Sequence, residues 1–198
     1  MRDSMLQPAM PDPVTAMQRV FRLALNAMSE PGTLQRVDHV PELDRLAPAT
    51  YALCLTLLDA DTPVWIAPLL DTPALRANLA FHCACPVVQA REDAAFAVLT
   101  VDELDKLSGF NIGTDRDPDI SCTLLVQLDS LEEGAATSWR GPGILNKRVM
   151  RLPVAAGFWT RRSQHGFPKG LDMFFTAGRE MTGLPRSTRV QPAVQGVI

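Results

Sequence analysis

An apolar stripe near the start of the chain predicts a long amphipathic helix. Apolar residues recur there at alternating spacings of three and four positions, namely Val14, Met17, Phe21, Ala24 and Met28. Such spacing places side chains on one face of a helix. Asp12 can cap this helix, and Pro13 suits its first position, where the backbone N–H needs no partner. Pro31 and Gly32 end it, since proline cannot continue the helix and glycine tolerates the turn that follows.

Helical and strand patterns alternate along the rest of the chain. The almost continuous apolar segment 48–58 predicts a buried helix, the turn signal at 71–73 begins another, and 153–164 predicts a further one. Thr100 and Glu103 have the spacing of a capping box, which indicates a helix start. β-branched and aromatic runs predict strands at 33–37, 64–66, 96–99, 121–128, 135–140, 171–176 and 187–190. We expect 121–128 to pair with 135–140 as a hairpin.

This alternation predicts the fold class: an α/β three-layer sandwich with a mixed sheet and helices on both faces. Residues 1–12 are predicted to form a flexible N-terminal tail, because Gln7 and Pro8 interrupt the apolar run that a signal peptide would need. Residues 13–198 are predicted to form a single domain, since 198 residues with 46% hydrophobic content suit one core.

Charge and hydropathy exclude nucleic acid and membranes as expected partners. The 19 basic residues almost balance the 22 acidic ones, so the chain has no overall positive field. Polar residues, Pro or Gly interrupt every apolar run before the length of about 20 residues that a membrane span needs. The 4 cysteines lie in a chain without a secretion signal, so we expect reduced thiols and a cytoplasmic protein.

Potential metal ligands cluster at His82, Cys83 and Cys85. Structural zinc usually needs two ligand pairs, and this segment supplies one. Cys54 and Cys122 could complete the set in space, but free cysteine packs as a small buried hydrophobe. We predict no metal, and a zinc-stabilised or small-ligand-binding module stays an alternative.

The lysines bear on a second alternative, a free-standing pyridoxal-phosphate (PLP) enzyme. Such enzymes are α/β proteins that need a lysine amine for the Schiff base. Lys106, Lys147 and Lys169 all lie in polar or turn-like stretches, which suit a solvated cation better than a desolvated amine. We therefore predict no cofactor. No catalytic residue is predicted either, because the histidines lie in unrelated local settings.

Arginines are the best candidates for a binding site. Arg22, Arg186 and Arg189 present guanidinium groups, which match phosphate and phosphonate oxygens with two parallel hydrogen bonds. His82 completes the candidate set. An anion site or a protein interface is one interpretation of these residues, and ordinary ion pairing is the other.

Several blocks of sequence, in one order, resemble a known family. They are F-R-L-A-L-N-A-M-S-E-P-G at 21–32, L-T-L-L-D-A-D-T-P-V-W at 55–65, F-H-C-A-C-P at 81–86, R-G-P-G-I at 140–144, F-P-K-G-L-D at 167–172 and L-P-R-S-T-R-V at 184–190. The chain resembles the PhnH family, whose members belong to the bacterial carbon–phosphorus lyase core complex in phosphonate metabolism. Cys85 and Ser187 depart from it, where alanine and threonine are more usual.

The resemblance implies a fold similar to a shortened PLP-dependent transferase without the cofactor lysine. It implies a noncatalytic but required subunit that acts with the carbon–phosphorus lyase subunits G, I and J. Their complex forms alpha-D-ribose 1-methylphosphonate 5-triphosphate from ATP and methylphosphonate. It also implies a homodimer in isolation, and we expect its interface near Trp139 and Phe158.

Overall fold

The computed structural model describes residues 5–164 and 166–193. Its helices are α1 (Pro13–Ser29), α2 (Pro48–Leu57), α3 (Pro73–His82) and α4 (Ala156–Arg162). Its strands are β1 (Gln35–Arg36), β2 (Val64–Ile66), β3 (Phe96–Thr100), β4 (Thr123–Gln127), β5 (Ala136–Arg140), β6 (Arg148–Arg151), β7 (Asp172–Ala177), β8 (Glu180–Leu184) and β9 (Arg189–Pro192). Each of α1, α2 and α3 begins on a proline, as the sequence predicted for α1.

A six-stranded mixed sheet in the order β1-β8-β7-β4-β3-β2 forms the centre of the molecule. The strands β2, β3, β4 and β7 run parallel, whereas β8 and β1 are antiparallel to their neighbours. A separate three-stranded antiparallel sheet has the order β6-β5-β9. The predicted α/β class with a mixed sheet is confirmed.

Alternate residues of the central strands enter two separate cores. Leu125 packs with α1, α2 and α3 on one face, whereas Leu124 and Val126 pack on the other. That second face is covered by α4, through Phe158 and Trp159, and by the three-stranded sheet. A buried parallel sheet needs cover on both faces. Here helices cover one face, and α4 together with the three-stranded sheet covers the other.

Two residues predicted at an interface belong to this second core. Trp139 and Phe158 are fully buried, and the Trp139 indole N–H donates to the hydroxyl of Thr137 at 2.9 Å. The expected interface around Trp139 and Phe158 is therefore wrong, because packing inside the chain already removes both side chains from solvent.

The buried face of the first helix overlaps the predicted one only in part, since Ala24 is buried and Met17 and Met28 pack against the first core. Val20, Ala24 and Ala27 are buried, whereas Val14 is 68% and Phe21 46% exposed. The small residues decide this orientation, because α1 lies directly over β8. A side chain at Gly183 of β8 would overlap the backbone of Ala27, so close approach requires glycine there.

The predicted capping box and hairpin are also wrong. Thr100 makes no capping hydrogen bond, and only a three-residue 3-10 turn follows it. The Glu103 carboxylate pairs with Arg91 at 2.5 Å instead. The strand β4 cannot form a hairpin with β5, since β3 and β7 occupy both of its edges. The strands β6 and β8 were not predicted.

The segment 5–12 lies against α3. The Gln7 N–H donates to the Asn78 side chain at 2.9 Å, and the Asn78 amide donates to the carbonyl of Met5 at 2.6 Å. Ala9 and Met10 are buried. These contacts join the predicted tail to the first core, while the division into a tail and one domain stays a prediction. Within the described residues, no helix has the length and apolar character needed to cross a membrane.

Candidate functional site

A cavity of about 730 Å³ lies between α4, the loop after it and the segment 185–192. Trp159, Thr160 and Arg162 line it from α4, and Phe167 lines it from the loop. The opposite wall consists of residues from the turn between β8 and β9 and from β9 itself: Arg186, Ser187, Thr188, Arg189, Val190, Gln191 and Pro192. We call this space the arginine cavity.

Local sequence places both walls. Phe158 and Trp159 are buried, and they fix α4 against the central sheet. Arg162 lies four residues after Phe158 and three after Trp159, so it falls on the same inward face of the helix. On the other wall, β8 ends at Leu184 and the Thr188 N–H donates to the carbonyl of Pro185 at 3.0 Å. This turn brings Arg186 and Arg189 to the cavity that Arg162 lines from α4.

Arg162 lies half-buried between α4 and the turn that follows β8. Its two terminal nitrogens donate to the carbonyls of Thr188 and Pro185, at 2.8 and 2.7 Å. Its Nε is buried without a hydrogen-bond partner. Burial lowers the pKa of Arg162 to about 10, against the smaller opposite effect of Asp172. Among the described residues, no carboxylate lies within 4.0 Å of its guanidinium.

Arg186 has a carboxylate partner. Its backbone N–H and its Nε donate to the two oxygens of Asp172, at 2.7 and 3.0 Å, and its Nη1 donates to the carbonyl of Pro118. Ordinary ion pairing therefore accounts for much of Arg186. Asp172 is the carboxylate that acts on both Arg186 and Arg162, so the cavity keeps a net positive charge.

The predicted site residues separate into two groups. Arg186 and Arg189 both line the arginine cavity. Arg22 lies on the exposed side of α1, across the central sheet. His82 ends α3 on that same side, where its Nε2 hydrogen-bonds with the carbonyl of Gln7 at 2.9 Å. Sequence reasoning missed Arg162, although its spacing from Phe158 and Trp159 within a predicted helix could have indicated it.

The family model described as a bacterial phosphonate metabolism protein, PhnH, matches residues 8–191. The chain belongs to the PhnH family. A PhnH relative from Rhizobium meliloti (strain 1021), named alpha-D-ribose 1-methylphosphonate 5-triphosphate synthase subunit PhnH, is 34% identical over 192 residues, which cover 92% of this chain and 94% of the relative. HtxG of Stutzerimonas stutzeri, which its name proposes as a C-P lyase subunit, is 28% identical over 178 residues, covering 87% of this chain and 85% of HtxG.

A second cavity of about 480 Å³ adjoins the first in this PhnH-family chain. Its apolar wall includes Phe110, Phe158, Leu171 and Met173. Arg162 and Arg186 line both cavities. The two arginines therefore stand between two spaces large enough for small molecules.

The lysines of this PhnH-family chain lie at the surface. Lys106 and Lys147 are exposed, and Lys169 pairs with Asp115 at 3.0 Å. The expectation that the chain binds no cofactor stays a prediction.

The cysteines of this PhnH-family chain are buried and reduced. Cys83 donates to the carbonyl of Cys54 at 3.7 Å. Among the described residues, no three His, Cys, Asp or Glu side chains lie close enough to hold a metal ion. Burial raises the pKa of the Cys122 thiol to about 12.

We expect Cys122 to resist alkylation in the folded protein. Its raised pKa leaves almost no thiolate at pH 8, and the thiolate is the nucleophile. Treatment with iodoacetamide at pH 8, followed by peptide mass spectrometry, should show Cys122 unmodified in buffer and modified in concentrated urea. Complete modification of Cys122 in buffer, at the rate seen in urea, would contradict its burial.

Proposed function

We propose that this chain is a noncatalytic but required subunit of a C-P lyase complex in phosphonate metabolism. The complex would form alpha-D-ribose 1-methylphosphonate 5-triphosphate from ATP and methylphosphonate. The observation that carries the proposal is the match to a subunit of that synthase over 92% of this chain and 94% of the relative. The relative that its name proposes as a C-P lyase subunit supports the same assembly.

The chemistry of the arginine cavity supports a noncatalytic role. Its described lining supplies guanidinium, hydroxyl and aromatic groups but no carboxylate, imidazole or thiol. A general base needs one of those groups, with a pKa near the working pH. The cavity can hold and orient an anion, while bond breaking needs groups from elsewhere.

The partners and location belong to the same proposal. The chain would act in the cytoplasm with subunits G, I and J, and it would form a homodimer when isolated. Its fold would be that of a shortened PLP-dependent transferase without the cofactor site. The exposed or paired state of Lys106, Lys147 and Lys169 supports the last point.

Reconstitution tests the proposed function. The complex would be assembled from purified subunits G, I and J with or without this chain, and product would be followed by phosphorus NMR with ATP and methylphosphonate. We expect product only when the chain is present, and none from the chain alone. Turnover by the lone chain would refute the noncatalytic role, and full turnover without it would refute the requirement.

An exposed apolar stripe on α1 is the surface that we propose for a partner subunit. Val14, Phe21 and Leu25 are exposed, and their spacing of seven and four residues places them on one side of the helix. Arg22 borders this stripe. Exposed apolar residues grouped on one face mark interaction surfaces more often than scattered ones do, so Arg22 would act at an interface here.

We expect Leu25→Asp to abolish co-purification with the other subunits. The substitution puts a charge into the α1 stripe, and a desolvated, unpaired charge weakens an interface by several kcal/mol, about 2–5. Val149→Asp is the matched control, because Leu25 and Val149 are both 52% exposed. A pull-down through an affinity tag on one of the other subunits would recover Val149→Asp but not Leu25→Asp. Equal recovery of the two variants would exclude the α1 stripe.

A further inference from the structure

We propose that the arginine cavity binds a phosphate or phosphonate ester, with the half-buried Arg162 as its anchor and Arg189 and the Thr188 hydroxyl as further donors. The ester would place its dianionic group against these donors and its organic part against the apolar wall. This inference rests on the geometry of the cavity and stands apart from the proposed role in assembly.

Two buried donors in this cavity have no partner. Arg162 Nε and Thr188 Oγ1 are both buried without a hydrogen bond, and both residues line the cavity. Leaving a buried donor unpaired costs about 1–3 kcal/mol, more for a charged group. Native structures rarely keep such groups without a reason. A ligand with several acceptor oxygens, bound in the cavity, would accept from both once these two side chains turn toward it.

The charges of the cavity match a dianion. Asp172 neutralises Arg186, but Arg162 and Arg189 have no ion pair among the described residues. Arg189 also lies directly opposite Arg140 in the antiparallel pair of β9 and β5. Like charges at such positions repel each other, and a bound dianion would relieve the repulsion. A carboxylate would supply only one negative charge.

The size and walls of the cavity indicate an organic part. A volume of about 730 Å³ far exceeds the space that inorganic phosphate needs and lies within the range of about 300–1,000 Å³ for small-molecule sites. Trp159, Phe167 and Val190 supply an apolar wall beside the arginines. The ligand would therefore join a phosphoryl or phosphonyl group to a flat or apolar body.

A purely structural role does not explain all of these features. Arg162 does clamp the turn between β8 and β9 through the carbonyls of Pro185 and Thr188. That clamp uses only the two terminal nitrogens. It gives no reason for the unpaired Nε of Arg162, the unpaired hydroxyl of Thr188 or the positive charge of Arg189.

Calorimetry with matched probes tests the site. Phenyl phosphate and phenylphosphonate, titrated into the purified chain, should both bind, and the tighter of the two identifies the phosphorus group that is preferred. Two further probes each lack one feature: benzoate keeps the ring but carries one charge, and inorganic phosphate lacks the ring. We expect the affinity for each of them to be lower by a factor of about ten or more. Failure of both phenyl probes to bind at millimolar concentration would overturn the proposal.

Two variants locate the binding without threatening the fold. Arg189→Gln removes an exposed charge, and Thr188→Val replaces the unpaired hydroxyl by a methyl group. Each should weaken phenyl phosphate binding by about tenfold, the effect of one charge-assisted hydrogen bond. Arg151→Gln, an exposed arginine of the same small sheet outside the cavity, should leave the affinity unchanged. Equal affinity in all three variants would place the ligand elsewhere and sink the proposal.

Nitrogen NMR reports on Arg162 itself, whose replacement would also release the turn. The Nε–H signal of Arg162 should shift when phenyl phosphate is added, and the shift should follow the calorimetric binding curve. An unmoved Arg162 signal at saturating phenyl phosphate would show that this guanidinium is only a structural clamp.

Discussion

Replacing Asp172 with alanine should lower the free energy of unfolding by about 3–5 kcal/mol, the usual effect of removing one partner of a buried ion pair. The side chains of Asp172 and Arg186 are only 19% and 15% exposed, so water replaces the lost carboxylate only in part. Arg186 would lose three hydrogen bonds at once. Arg162 would lose the nearby negative charge that offsets its burial.

Urea unfolding followed by circular dichroism measures this effect. Glu180→Ala is the matched control, because Glu180 also pairs with an arginine, Arg36, but both side chains are solvent-exposed. Surface pairs contribute about 0–1 kcal/mol. A stability loss for Asp172→Ala no larger than that for Glu180→Ala would show that the ion pair at the cavity does not hold the fold together.

Trp139→Ala should also destabilise the chain by about 3–5 kcal/mol, because it opens a large cavity in the second core. Trp139 is fully buried, and its ring lies 6.3 Å from that of Trp159 between centroids. The truncation removes this aromatic contact and leaves the Thr137 hydroxyl without the indole donor. The variant distinguishes a core position from an interface position.

Thermal unfolding at two protein concentrations makes that distinction. A core role predicts a lower melting temperature for Trp139→Ala at both concentrations, with the oligomeric state in sedimentation unchanged. Leu145→Ala provides the exposed control, since Leu145 is 97% exposed and surface truncations usually stay within about 0.5 kcal/mol. If Trp139→Ala abolished dimer formation without lowering the stability of the monomer, Trp139 would be an interface residue.

Local signals predicted the elements that depend on near neighbours. Pro13 and the stripe that follows it marked α1, and the apolar segment at 48–58 marked α2, because a helix start and its buried face are decided within a few residues. The family could also be recognised from its sequence blocks, and the match over 8–191 confirmed it. The face of α1 was predicted less well, since Val14 and Phe21 are as apolar as the residues that the helix buries.

The candidate site was predicted only in part. Arg186 and Arg189 share a short motif, so their proximity follows from the sequence. Arg162 lies 26 residues before Thr188, whose carbonyl it holds, and no local pattern connects the two. Asp172 shows the same limit, because a carboxylate 14 residues from Arg186 gives no sign in sequence of which arginine it will neutralise.

The sequence by itself determined the family, the α/β class and the starts of the main helices, because each of these depends on residues adjacent along the chain. Only the tertiary structure decided that β5 belongs to a second sheet and does not pair with β4, and that Trp139 is buried. It also decided that Arg162 and Arg189, among the residues described, have no carboxylate partner. Pairing and burial depend on which distant segments compete for the same strand edge, apolar surface or carboxylate. Only the packed chain resolves that competition.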